Sequence, residues 1–141
     1  MGETFHGAKA VVLIGEQVLL YRRDPHVRWG GLWDMPGGGR EGVETPQDCL
    51  AREVFEEFGL DLSESEELWA ADFPAMAAEG EKAWFFVVQF PPSAVSQIKF
   101  GEEGQYWRVF PLEAAVTLPD LIEPLRKRLI FWLRQVSNTN A

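Results

Sequence analysis

The stretch PGGGREGVETPQDCLAREVFEEFGL, Pro36 to Leu60, sets a run of glycines directly before a segment dense in carboxylates. Thr45 has the side chain of a helix N-cap, Pro46 suits the first helical position, and Asp48 stands where the acid of a capping box would. Gly59 suits the left-handed position that ends a helix. The pattern therefore predicts a helix over 46–58. At about 3.6 residues per turn, Glu53, Glu56 and Glu57 stand at i, i+3 and i+4 and share a face. Leu50, Ala51, Val54, Phe55 and Phe58 group toward the other side, which is expected to pack on a sheet. Cys49 falls on the acidic side, near Glu53, and reads as a partly buried structural thiol.

Packing does not account for the acidic face. Like charges one turn apart cost roughly 0.2–0.5 kcal/mol per pair. A hard divalent cation removes that cost, and Mg²⁺ favours one or two carboxylates together with substrate phosphates. A solvated surface produces the same acidic pattern. The flanking residues favour the cation: Arg52 lies beside the acids, a Gly-rich loop precedes them, and a second acidic loop, GEEG at 101–104, follows.

Working outward, AVVLIGEQVLLYRR reads as a β-hairpin turning at Gly15-Glu16, and Leu32 to Met35 as a short extended piece inside a Pro/Gly-rich loop. ELWAADFP, KAWFFVVQF and QYWRVF read as further strands, the second buried on both faces. Pro111 opens a short turn or helix. A terminal amphipathic helix carries Leu121, Leu125, Leu129 and Trp132 or Leu133, its regular part starting at Pro124, and SNTNA reads as a frayed tail. This order predicts an α/β (α+β) sandwich, a mixed sheet between helices.

The totals fit one domain: 141 residues, 46% of them hydrophobic. One cysteine excludes an intrachain disulfide and suits a reducing compartment. The formal charge of −9 argues against binding a nucleic-acid polymer, and it makes an anionic substrate awkward without an intervening cation. The N-terminal residues show no basic n-region and no long apolar run, so no signal peptide or membrane span is expected, and a cytoplasmic location is.

From Gly38 the chain reads Gly, five residues, Glu44, seven residues, Arg52-Glu53-Val54, one residue, Glu56-Glu57, one residue, Gly59-Leu60. This resembles the Nudix box, GX5EX7REUXEEXGU with U apolar, at every fixed position, and the leader LWDMPGG is similar to the family's approach to the box. The resemblance extends over 1–141 as one Nudix hydrolase domain and implies an α/β/α sandwich. It implies hydrolysis of a phosphoanhydride in a nucleoside diphosphate linked to another moiety, with Mg²⁺ or Mn²⁺. Carried over by position, it implies Glu53, Glu56 and Glu57 as metal ligands, joined by the Gly37 carbonyl. Arg52 would orient those carboxylates, Glu44 would support them, and Gly38 and Gly59 would permit the local backbone. The general base is Glu53 or a later loop acid; Glu103 matches a loop position that supplies a further ligand, with Glu102 as its rival.

The box leaves the substrate open. Length, the EGQ loop and EPLRKRL resemble the MutT-like branch, which acts on oxidised purine nucleoside triphosphates. That branch reads the base with an asparagine before EP, where this chain has Ile122; Asp120 lies nearby. Pro74 resembles a proline of ADP-ribose and nucleotide-sugar hydrolases, whereas Ala77 and Ala78 occupy the region where dinucleoside polyphosphate hydrolases show a tyrosine. A non-catalytic, nucleotide-binding regulatory domain is the remaining reading. Arg23 and Arg40 are candidate phosphate contacts, Trp33 and Trp29 candidate stacking residues, and His26 a loop histidine within reach of either role. A nucleotide is the expected small-molecule partner, and the oligomeric state, monomer or homodimer, stays open.

Overall fold

A computed structural model describes residues 3–140. The predicted hairpin forms β1 (Gly7–Ile14) and β2 (Gln17–Arg22). The two strands stay paired only at Leu13–Val18 and Ile14–Gln17, and then diverge. Two short strands fill the wedge. β3 (Trp33–Asp34) pairs with Tyr21 and Arg22 of β2, and β4 (Gly37–Gly39) pairs with Gly7, Ala8 and Lys9 of β1. β4 lies in what the sequence presents as a loop. Glycines have weak strand propensity, and here the neighbouring strand imposes the extended form.

After α1 (Pro46–Phe58) and a 3₁₀ turn at Leu62–Glu64, β5 (Glu66–Pro74) forms one edge of the sheet. β6 (Lys82–Phe90) pairs with it antiparallel and with β1 in parallel. A second 3₁₀ turn at Pro92–Gln97 leads on toward β7 (Tyr106–Pro111), which adds to the far side of β2. α2 (Leu112–Val116) and α3 (Glu123–Asn140) complete the chain. The sheet is therefore mixed, as predicted. α3 runs through Ser137 and Asn138, against the frayed tail that their polar composition suggests, and Ala141 lies outside the described residues.

Alternation along β1 places the helices. Ala8, Ala10, Val12 and Ile14 face Leu50, Val54 and Phe58 of α1, while Val11 and Leu13 face Leu125, Leu129 and Trp132 of α3. α1 carries the predicted capping box, Thr45 with Asp48, and ends on left-handed Gly59 at φ 68°. The wheel is rotated from its sequence reading. Phe55 is 63% exposed, about 100° around the helix from Val54, whereas Cys49 is fully buried. Cys49, Glu53 and Glu57 form an i, i+4, i+8 stripe along the edge of the buried face, and that stripe meets β4. Among the described residues no helix is long and apolar enough to cross a membrane.

Candidate active site

The wedge between β1 and β2 opens into a cavity of about 310 Å³, with β4, Lys9, Glu53 and Glu57 along its floor. Close approach of backbone requires glycine here. Gly37 sits at φ 134°, and a Cβ on it would lie 2.2 Å from the Ala8 carbonyl oxygen. A Cβ on Gly38 would lie 2.6 Å from the Glu53 carboxylate. The glycine run therefore lets α1 press its carboxylates onto strand backbone.

Arg52 braces that arrangement. Its guanidinium donates to both oxygens of Glu44, at 2.7 and 3.1 Å, and to Glu53 Oε1 at 2.8 Å. It also reaches the Gly39 carbonyl at 2.8 Å, with Glu56 and Glu41 at 3.3 and 3.2 Å on its outer side. Arg52 holds the Glu44 carboxyl below its usual range. Burial raises Glu53 against the pull of Arg52. Burial pushes Glu57 up to about 8, against Lys9 and the Gly37 N–H, which donates to Glu57 Oε1 at 2.9 Å. Burial thus disfavours the charged form of both carboxyls, and a further cation beside them would favour it.

Lys9 and Asp34 complete the floor, and the sequence reading missed both. Lys9 Nζ touches Asp34 at 3.1 Å and donates to the Met35 and Gly37 carbonyls at 3.2 and 3.4 Å. Asp34 is buried and accepts from Tyr21 Oη at 3.0 Å, Arg23 Nη1 at 2.8 Å and the Met35 N–H at 2.7 Å. Burial, and then Asp34, push the Tyr21 hydroxyl far above its ordinary value, so it stays a donor. Single charges inside apolar runs, Lys9 in AKAVVLI and Asp34 in LWDM, were the available signals.

The acidic loop is pinned at both ends. The Gly101 N–H donates to the Glu57 carbonyl at 2.9 Å, and the Gly104 N–H to Asp24 at 3.1 Å. This brings Glu103 to the cavity wall, where Glu102 is not.

The residues expected from sequence therefore divide. Gly37, Glu53, Glu57, Glu103 and Arg23 line one cavity, and Arg52 and Glu44 stand behind it. Glu56 does not join them: its side chain is 56% exposed on the outer face of α1. Among the described residues, no three Asp, Glu, His or Cys side chains form a ready-made ligand group for a metal. The donors that do fit a hard cation are the oxygens of Glu53, Glu57 and the Gly37 carbonyl. A positive group, the Lys9 ammonium, already lies against that carbonyl.

Three substrate candidates fall away from the cavity. Arg40 donates to the Glu44 and Glu3 carbonyls at 2.9 and 3.0 Å and covers the Phe5 ring, so its charge is spent on the loop. Trp33 is 5% exposed, edge-on to Tyr106 and Phe110 and under Arg22, which leaves no face for a base. Asp120 is ion-paired with Arg22. Its carbonyl accepts from the Trp33 N–H at 2.8 Å, so it joins α3's approach to β3. Ile122 is fully buried, and His26 lies on an exposed loop outside the cavity wall.

The model of the family described as the NUDIX domain matches residues 4–133. The chain belongs to that family. A Proteus vulgaris protein named 8-oxo-dGTP diphosphatase is 41% identical to this Nudix chain over 59 residues, 40% of this chain and 53% of that protein. An RNA pyrophosphohydrolase from Aeromonas hydrophila subsp. hydrophila is 27% identical over 106 residues, 62% of this chain and 61% of that one. The matched region thus spans little more than half the length of these relatives. Among solved structures, a MutT protein from Methanosarcina mazei Go1 superposes with a TM-score of 0.72 at 22% identity, covering 96% of this chain and 97% of that one. This likeness supports the Nudix fold.

Proposed function

We propose that this chain is a Nudix pyrophosphohydrolase that cuts a phosphoanhydride in a nucleotide, a (d)NTP or modified nucleotide in preference to other diphosphates, with Mg²⁺ or Mn²⁺. One observation carries the reading: two carboxyls raised by burial, Glu53 and Glu57, line a single cavity together with Gly37. Glu53, Glu57 and the Gly37 carbonyl would hold the cation, with Glu103 on the same cavity wall as a further candidate; Glu56 would join only by turning in from the outer face of α1. When bound, such an ion neutralises phosphate charge and makes water more acidic.

The chain's own residues supply the rest. Arg52, fixed bidentately by Glu44, keeps Glu53 aimed at the cavity, so both act as positioning residues. Glu53 or Glu103 accepts the proton of the attacking water. Arg23, held by Asp34, presents a guanidinium edge to a phosphate. The substrate is a free nucleotide and the compartment the cytoplasm; the protein acts as a monomer or homodimer.

A panel tests this: oxidised and normal (d)NTPs, ADP-ribose, nucleotide sugars, dinucleoside polyphosphates and a 5′-triphosphorylated RNA oligonucleotide, each with Mg²⁺. Release of pyrophosphate from (d)NTPs is the expected result. A preference for ADP-ribose would support the second reading, an ADP-ribose or nucleotide-sugar pyrophosphatase, which Pro74 favours; its carbonyl accepts from Arg128, a residue of the cavity wall. No release from any substrate would leave the non-catalytic, nucleotide-binding domain.

A further inference from the structure

β5 is an open edge of the sheet, and its pairing with β6 decides which of its side chains face α3. Glu66 stands opposite Gln89, Trp69 opposite Val87 and Phe73 opposite Ala83. Val87 packs with α3, and alternation carries Glu66 and Phe73 to the same face. A register shift between Glu67 and Trp69 keeps the three in line. Phe131 of α3 lies over this strand, its ring 6.0 Å from Trp69 and 5.6 Å from Phe73. The cover is incomplete: Phe131 is 46% exposed, and Leu68, at the bulge, 41%. The rings form a ridge along the groove between β5 and α3.

The two flanks of that ridge carry opposite charge. Lys127, Phe131 and Arg134 stand at i, i+4 and i+7, so a basic line runs along α3. Arg128 is turned inward onto Phe73, which puts β5 on one side of Phe131 and the basic line on the other. Glu66 and Glu67 lead β5. These four charged residues are exposed, and among the described residues none of them forms an ion pair. An aromatic centre with a charged rim is the anatomy of a protein interface.

A nucleic-acid polymer does not suit a chain of formal charge −9. An anionic membrane would meet Glu66 and Glu67 along with the basic line. A second copy satisfies both flanks. A two-fold axis running along the groove lays α3 of each copy on β5 of the other, ring ridge against ring ridge. α3 passes Phe73 at Arg128 and Trp69 at Phe131, so Arg134, a turn further on, lies toward the Glu66 end of β5.

We propose that this chain forms a two-fold homodimer through the β5–α3 ridge, with Phe131 as anchor and Arg134 pairing with Glu66 of the partner subunit in each of two equivalent contacts. The assembly does not depend on what the cleft hydrolyses.

Sedimentation equilibrium tests this on the parent, Phe131→Glu, Arg134→Glu, Glu66→Arg and the double variant Arg134→Glu/Glu66→Arg. The parent should dimerise with a Kd of about 10 µM or tighter. Phe131→Glu removes both anchors and should raise Kd about 100-fold or more. Each single reversal sets like charges together twice and should raise Kd about tenfold or more. The double variant restores opposite charges and should return to within about threefold of the parent. Arg134 and Glu66 are exposed, so the reversals decide alone if Phe131→Glu fails to melt like the parent. A parent that stays monomeric up to about 0.2 mM overturns the proposal, as does a double variant no tighter than its singles. A monomeric parent that floats with phosphatidylglycerol vesicles overturns it in favour of a membrane surface.

Discussion

The two helices that sandwich the sheet, α1 and α3, both send charge inward, in opposite ways. α1 turns Glu53 and Glu57 toward the cavity and balances them locally, with Arg52, Lys9 and the Gly37 N–H all within one network. α3 buries Arg128 between aromatic rings and gives it a single carbonyl. The acidic wall is a braced assembly whose parts hold one another in place. The basic wall is one side chain with unspent donors. On the proposed reading, the first belongs to chemistry common to every substrate.

The largest effect should come from the acidic wall. Glu53→Gln removes a proposed ligand and base while keeping its shape, and should lower kcat/KM by roughly 10²–10⁴-fold for every nucleotide alike. Loss confined to one base would break that assignment. Arg52→Ala frees Glu53 and Glu44 together and should cost roughly 10–100-fold. Arg52→Lys should restore little, because a lysine cannot span two carboxylates bidentately. Near-full activity in the lysine variant would show that charge alone is needed.

Glu57 sharpens the comparison through pH. Its unfolded carboxyl titrates near 4.5 and its folded one near 8. Between those values the folded state keeps a proton that the unfolded state releases, so stability contributed by the protonated form is complete below 4.5 and falls as pH rises through 8. Without divalent cation, Glu57→Gln should melt at the parent's temperature near pH 4 and several degrees above it near pH 9. The parent should gain in melting temperature with Mg²⁺, and the variant should gain much less. The smallest effect belongs to Phe55. Phe55→Ser should shift stability by about 0.5 kcal/mol or less, as for an exposed site. A larger loss in urea denaturation would mean that the outer face of α1 packs against something.

Much of this was legible in sequence because α1 is stated locally. Caps, box spacing and Gly59 all lie within one segment, so the helix, Arg52 and the carboxylates could be placed without tertiary information. The rotation of α1 was not legible. Whether Cys49 or Phe55 is buried depends on where β4 lies, and β4 is three glycines whose extended form comes from pairing with β1. Trp33, Arg40 and Asp120 read as substrate contacts because they sit near the box in sequence or carry suitable chemistry. Their actual partners, Phe110, Phe5 and Arg22, come from distant segments. Arg128 left a signal that went unused. It falls between Leu125 and Trp132 on the apolar stripe of α3, where a charge is out of place.

The short pairing of β1 with β2 has a consequence for motion. Below the point where the strands part, the cavity floor is backbone already hydrogen-bonded to its neighbours: β4 to β1, and the Ala10 amide to the Pro36 carbonyl at 3.0 Å. The opposite side is two loops joined by Arg28 and Met76. In D₂O the Ala10 amide should exchange about as slowly as global unfolding permits, while the amides of residues 75–81 should exchange through local opening. On the proposed reading, substrate would bind between a fixed floor and loops that open more readily than it.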